Sequence, residues 1–106
     1  MSFSMTVARL NDLLHTLAED SYPEDVILCG DPKAEVTGVL VSWMASCAAL
    51  ARAGTAGMNT VICHETLMFT PAAYEAALVP DAALRNWPAN ARRLAIVEQY
   101  RLNVIR

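Results

Sequence analysis

Charged residues and glycine are scarce in this sequence. Only 18% of its 106 residues are charged and four are glycine, whereas about 25% of the residues in a typical soluble domain are charged. Eight Lys and Arg stand against eleven Asp and Glu, which gives a net charge of −3. This balance leaves no basic surface for nucleic acid or an anionic membrane, so we expect neither as a partner.

Long apolar runs and paired cysteines are also missing. The longest uncharged stretch covers residues 36–51, which is shorter than the roughly 20 apolar residues of a membrane-spanning helix. The N-terminus has neither the basic start nor the apolar centre of a signal peptide. The three cysteines, Cys29, Cys47 and Cys63, form no Cys-x-x-Cys pair, which argues against a zinc knuckle or a redox dithiol. We predict reduced, mostly buried thiols and a cytoplasmic protein.

Apolar residues are abundant. They make up 55% of the chain, and the mean hydropathy is +0.29. A domain of this size leaves about a third or more of its unfolded surface exposed, so some apolar surface should remain uncovered by the chain itself. We predict one α/β domain over residues 1–106 that covers this surface with a partner, most simply as a homo-oligomer.

Hydrophobic periodicity predicts an alternation of helices and strands. Helices are predicted at 6–19, 46–56 and 89–100, a weak helix at 72–77, strands at 36–44, 59–63 and 102–106, a short apolar piece at 26–29, and a loop at 80–88. Near-continuous apolarity predicts that the 36–44 strand is buried on both faces. The strand–helix–strand unit over 36–63 predicts parallel strands. The expected fold class is α/β, a small three-layer sandwich with a mostly parallel sheet.

His64 and Glu65 directly follow the strand predicted at 59–63, where the carboxyl ends of parallel strands build sites. Neighbours in an extended chain point to opposite sides, so we expect them to reach different ions of a close metal pair. Imidazole and carboxylate suit Zn, Fe or Mn. The alternative is a loop pair with a local hydrogen bond, since a working metal site needs three or more protein ligands.

The remaining chemistry-bearing residues have simpler interpretations. Cys63 precedes His64, but an apolar strand should bury its thiol and leave it inert. The large apolar residues are expected in the core or at an interface rather than around a cofactor. They are Trp43, Met44, Met58, Met68, Phe69 and Trp87.

Five segments together resemble the N-terminal part of the Nif-three-like family of dinuclear metal centre proteins, often described as type 2 GTP cyclohydrolase I. The segments are Gly30-Asp31-Pro32, residues 35–39, Ser42-Trp43-Met44-Ala45-Ser46, residues 53–57 and residues 59–69. The resemblance spans nearly the whole chain. It implies the N-terminal half of the Nif-three-like fold, and ring-like homo-oligomers for full-length members.

The resemblance also implies a metal site. The family strand ends in His-His-Pro, or in one branch His-Glu-Pro, so His64 matches the first ligand and Glu65 the second, while Thr66 replaces the proline. The implied cofactor is a divalent ion, Zn, Fe or Mn, with two ions in the family. The family's remaining ligands, an aspartate and a His-x-x-x-Glu pair, are not in this chain, so its own site is incomplete or empty unless another chain contributes.

Two functions follow. The first is a metal-dependent hydrolase that activates water for attack on a small-molecule substrate of unknown identity, with His64 and Glu65 as ligands. The second is a non-enzymatic binding or assembly module in which the metal site has degenerated. Both rest on one expectation, that the imidazole of His64 reaches solvent at the tip of an inner strand.

Overall fold

The computed structural model describes residues 4–18, 26–65, 67 and 81–106, with the backbone alone for 81–83. Helices and strands follow one another along the chain. They are α1 (Val7–Leu17), β1 (Ile27–Cys29), β2 (Val39–Ser42), α2 (Cys47–Thr55), β3 (Thr60–Cys63), α3 (Asp81–Asn86), α4 (Pro88–Tyr100) and β4 (Asn103–Ile105). The predicted α/β class is confirmed.

The four strands form one sheet in the order β1-β4-β3-β2. Strand β3 pairs in parallel with both β2 and β4, whereas β1 runs antiparallel to β4. Two of the three pairings are therefore parallel, and the predicted mostly parallel sheet is confirmed. Since β3 lies between two neighbours, it is the inner strand whose carboxyl end carries the candidate site.

The prediction that residues 36–44 form a strand buried on both faces is wrong. The strand is shorter, Val39–Ser42, and lies at the edge of the sheet. Val39 and Val41 point away from the core, and Val41 is 74% exposed. The apolar run was correctly linked to a strand, but apolarity alone does not distinguish a covered face from an exposed one.

Local signals define the helix ends. The hydroxyl of Thr6 accepts a hydrogen bond from the Arg9 N–H at 3.2 Å, and that of Ser46 accepts one from the Ala49 N–H at 3.1 Å. Both are N-cap bonds, which satisfy donors that the first helical turn leaves free. The predicted helix at 46–56 is confirmed, while α1 ends at Leu17 rather than at residue 19.

The predicted loop at 80–88 is wrong, because Asp81–Asn86 forms helix α3. Pro88 does not end a helix but occupies the first turn of α4, with Trp87 as the N-cap residue. Proline is well suited to that position because its missing N–H would have no intrahelical partner there. The weak helix predicted at 72–77 lies outside the described residues.

The core lies between one face of the sheet and helices α2 and α4, which pack against each other. Leu50 and Ala53 of α2 contact Val61 and Val104 of the two central strands, and all four are fully buried. Cys63 belongs to the same cluster, and burial raises the pKa of its thiol. The predicted inertness of this thiol agrees with its burial, because a raised pKa leaves less of the reactive thiolate at neutral pH.

The asparagine side chain at the start of β4 joins three segments. Asn103 is 2% exposed. Its Oδ1 accepts a hydrogen bond from the Asp31 N–H at 2.8 Å, and its Nδ2 donates to the Asn59 carbonyl at 3.0 Å. The turn at residues 30–33 is thereby attached to the amino-terminal edge of the parallel strands, opposite the candidate site. Among the described residues, no helix is long and apolar enough to cross a bilayer.

Candidate metal-binding site

The candidate site lies where β2 and β3 end side by side. In their register Val41 is opposite Ile62, and Ser42 is opposite Cys63. Continuing this register by one residue places Trp43 opposite His64. The parallel pairing therefore brings an aromatic residue 21 positions earlier in the chain next to the predicted metal ligand.

The backbone bends immediately after β3. The N–H groups of His64 and Glu65 both donate to the carbonyl of Trp43, at 3.1 and 2.9 Å. Two successive donors can share one acceptor only if the chain stops being extended, because extended neighbours direct their N–H groups to opposite sides. This shared acceptor sets the backbone position of both predicted ligands.

The side chains of His64 and Glu65 lie together on the surface. Nδ1 of His64 is 3.5 Å from Oε1 of Glu65, and the two side chains are 61% and 46% exposed. The expectation that they point to opposite sides is therefore wrong, and the bend that follows from the shared Trp43 carbonyl is the reason. Their two donor atoms therefore lie on the same side of the chain.

The imidazole of His64 stacks on the indole of Trp43. The ring centroids are 3.9 Å apart and the planes are inclined by 10°. Trp43, expected in the core or at an interface, is 66% exposed. Trp43 therefore lies at the site. Only the register between β2 and β3 places it there, and that register cannot be read from the hydrophobic pattern.

Two arginines hold the backbone around the site. Arg106, directly after β4, donates through Nε to the carbonyl of His64 at 3.0 Å. Arg93 of α4 donates through Nη1 to the carbonyl of Leu67 at 2.9 Å. Sequence analysis did not identify either arginine. Together they attach the segment after β3 to the neighbouring strand and to the helix layer.

His64 and Glu65 are the only predicted ligands that the described residues bring together. No group of three or more His, Cys, Asp or Glu side chains that could hold a metal ion occurs within the described part of the chain. Thr66, which stands where the family has proline, is outside the described residues. Two neighbouring donor atoms, Nδ1 of His64 and Oε1 of Glu65, are what the described residues place here.

No protein-family model and no curated protein matches the chain. Several solved structures do. Reduced HcgD from Methanocaldococcus jannaschii superposes with a TM-score of 0.74 at 14% identity, over 99% of this chain and 40% of that one. Protein SA1388 from Staphylococcus aureus has a TM-score of 0.66 at 28% identity, over 95% and 27%. Protein ybgI, described as of unknown function, has a TM-score of 0.63 at 19% identity, over 95% and 38%.

Over nearly its whole length the chain shares the fold of the matched part of these three proteins, which have the Nif-three-like fold. The chain spans only 27–40% of the length of these three proteins.

Proposed function

We propose that this chain is the N-terminal part of a Nif-three-like metal-binding protein, with His64 and Glu65 as two ligands of one divalent cation. The observation that carries the proposal is the separation of 3.5 Å between Nδ1 of His64 and Oε1 of Glu65. Zinc bonds of about 2.1 Å in a tetrahedron place neighbouring ligand atoms about 3.4 Å apart. The two donors therefore fit adjacent corners around one ion.

The surroundings of the pair suit such a role. Both side chains are exposed, so an ion can approach from solvent without a rearrangement of the core. Imidazole nitrogen with carboxylate oxygen accommodates Zn, Fe or Mn, and we propose that class of ion. The remaining ligands would come from a further polypeptide segment, since two donors do not complete a coordination shell.

The chemistry available at a complete site of this kind is hydrolysis of a small molecule, because a bound divalent cation polarises water and carbonyl or phosphoryl oxygens. The residues of this chain would hold the cation and orient its ligands. His64 and Glu65 bind the cation, and the carbonyl of Trp43 sets their backbone. Arg106 fixes the His64 backbone further by donating to its carbonyl.

Metal titration of the wild-type chain and three variants tests the proposal. We expect the wild-type chain to bind zinc or manganese, His64→Ala to weaken binding at least about tenfold, and Glu65→Gln to weaken it less. Isothermal titration calorimetry gives the affinities, and elemental analysis after dialysis gives the stoichiometry. The matched control is His15→Ala, which removes the other histidine of the chain, on helix α1, and should leave the affinity unchanged.

Two results would refute the proposal. The wild-type chain could show no saturable binding of zinc, iron or manganese in the titration, although two adjacent donors should hold such an ion at least weakly. Alternatively, His64→Ala and His15→Ala could bind metal equally well, in which case the ligands lie elsewhere.

One observation favours assembly as a second function. Strand β2 is an edge strand that contains no charged residue, and Val39 and Val41 are exposed on it. An uncharged apolar edge is a site for pairing with another strand, because natural edge strands normally carry charge, proline or a bulge to prevent it. We propose that the occupant is a second copy of this chain, consistent with the apolar surplus of the sequence.

Light scattering coupled to gel filtration tests the assembly. We expect a mass above the 11.5 kDa of one chain, and we expect Val41→Lys to shift the protein toward the monomer. Leu17→Lys is the matched control, because Leu17 is 72% exposed on helix α1, away from the sheet edge. A wild-type chain that stays monomeric at all concentrations would exclude self-assembly through β2.

A further inference from the structure

We propose that Trp43 is a positioning residue for His64, whose imidazole it holds by stacking in the orientation that meets the cation, and that metal binding is therefore visible in Trp43 fluorescence. This inference rests on the proposed function, since it assigns a role to a neighbour of the proposed ligand. It adds a residue that the sequence pattern had placed in the core or at an interface.

The rings of Trp43 and His64 lie closer together than most aromatic pairs in proteins. Aromatic rings in proteins generally pair with centroids about 4.5–7 Å apart, offset or edge to face. The rings of Trp43 and His64 are 3.9 Å apart and nearly parallel. An overlap of this kind restricts rotation of the imidazole about its side-chain torsions, because any rotation separates the two faces.

Hydrogen bonds to the backbone support the stacked rings. The Trp43 carbonyl accepts hydrogen bonds from the N–H groups of both His64 and Glu65. These bonds fix the backbones of Trp43 and His64, the two residues whose rings stack, relative to each other. The His64 carbonyl is in turn held by Nε of Arg106 at 3.0 Å. These hydrogen bonds hold the backbone from the β2 side and from the β4 side, so the direction of the imidazole ring is what can still vary. The indole fixes that direction.

Positioning matters because His64 is exposed. A side chain with 61% of its surface in water would otherwise change rotamer freely, and immobilising such a side chain on binding weakens the affinity about 3–10-fold. Metal-binding histidines are usually oriented beforehand by a hydrogen bond that their other ring N–H donates to an outer residue. We infer that the indole orients the imidazole here. The conformational entropy of the His64 side chain is then lost when the protein folds and not when the metal binds.

The affinity experiment compares three variants with the wild-type chain. We expect Trp43→Leu to raise the dissociation constant for zinc by about 3–10-fold, the equivalent of immobilising one side chain. Trp43→Phe retains an aromatic face and should stay within about threefold of the wild type. Trp87→Phe, which alters the other tryptophan of the chain, should have no effect. Trp43 is largely exposed, so its variants should fold, and circular dichroism checks this.

Two spectroscopic readouts separate positioning from a merely structural role. In the metal-free protein, the ring protons of His64 should show an upfield ring-current shift that Trp43→Leu removes and Trp87→Phe keeps. In the Trp87→Phe protein, Trp43 is the only tryptophan, and paramagnetic Co²⁺ should quench its fluorescence. The quenching should disappear when His64→Ala is added.

The outcomes distinguish this inference from the proposed function. If the wild-type chain binds no metal, both are overturned. If it binds metal through His64 but Trp43→Leu has unchanged affinity, the proposed function stands and the positioning role is refuted. Quenching that persists without His64 would also overturn the inference, because the ion would then approach the indole independently of the imidazole.

Discussion

Replacing Leu50 by alanine is expected to lower the free energy of unfolding by about 2–5 kcal/mol, the range measured when large buried side chains are truncated. Leu50 is fully buried in the cluster between α2 and the sheet, beside Val61 and Val104. The change removes favourable burial and leaves a cavity that the surrounding residues fill only in part. Domains of this kind are stable by only about 5–15 kcal/mol, so the loss is a large fraction of the total.

Leu17→Ala is the matched control for this experiment. Leu17 ends helix α1 but is 72% exposed, so the same substitution should change stability by no more than about 0.5 kcal/mol. Urea titration followed by circular dichroism measures both variants. Equal losses in the two would contradict the packing of α2 against the sheet, because the effect would then come from helix propensity and not from burial.

Gly30→Ala has the second largest expected effect, a loss of about 1.5–3.5 kcal/mol. Gly30 has φ +111°, a region that side chains rarely adopt, and an added Cβ would lie 2.7 Å from Cα of Asn103 and closer still to its amide oxygen. Backbone strain costs roughly 1–2 kcal/mol. Displacing the Asn103 amide also breaks its hydrogen bond with the Asp31 N–H, which adds about 0.5–1.5 kcal/mol.

Gly57→Ala isolates the strain contribution. Gly57 has φ +76°, but no atom lies within 4 Å of the position that a Cβ would take. We therefore expect a loss of only about 1–2 kcal/mol. Thermal unfolding ranks the two variants, and hydrogen exchange of the Asp31 amide should accelerate in Gly30→Ala alone. If the two glycines prove equally tolerant, the close contact between the 30–33 turn and β4 is not part of the native structure.

Much of the secondary structure could be predicted because its causes are local. Ser46 is an N-cap residue and Gly57 follows the end of α2, so both ends of that helix were readable within a dozen residues. Strand β3 was predicted at 59–63 and lies at Thr60–Cys63. The wrong prediction of a loop at 80–88 also has a local cause. Two prolines suggested a loop, but one of them, Pro88, begins a helix.

The candidate site was only half predictable. His64 and Glu65 could be placed at a strand end from the sequence, but their convergence depends on a bend that the carbonyl of Trp43 creates. Trp43 itself is far from them in the chain. Its position beside His64 follows from the register between β2 and β3, and a shift of one residue would send its side chain to the other face of the sheet.

The sequence by itself determined the α/β alternation and the strand that carries His64, because these depend on interactions between residues a few positions apart. Tertiary structure decided which apolar residues are covered, as Leu50 is and Leu17 and Val41 are not. It also decided that an indole from one strand meets an imidazole from the next. Strand pairing and burial depend on contacts between residues distant in the chain, and local patterns contain no information about which distant segments will meet.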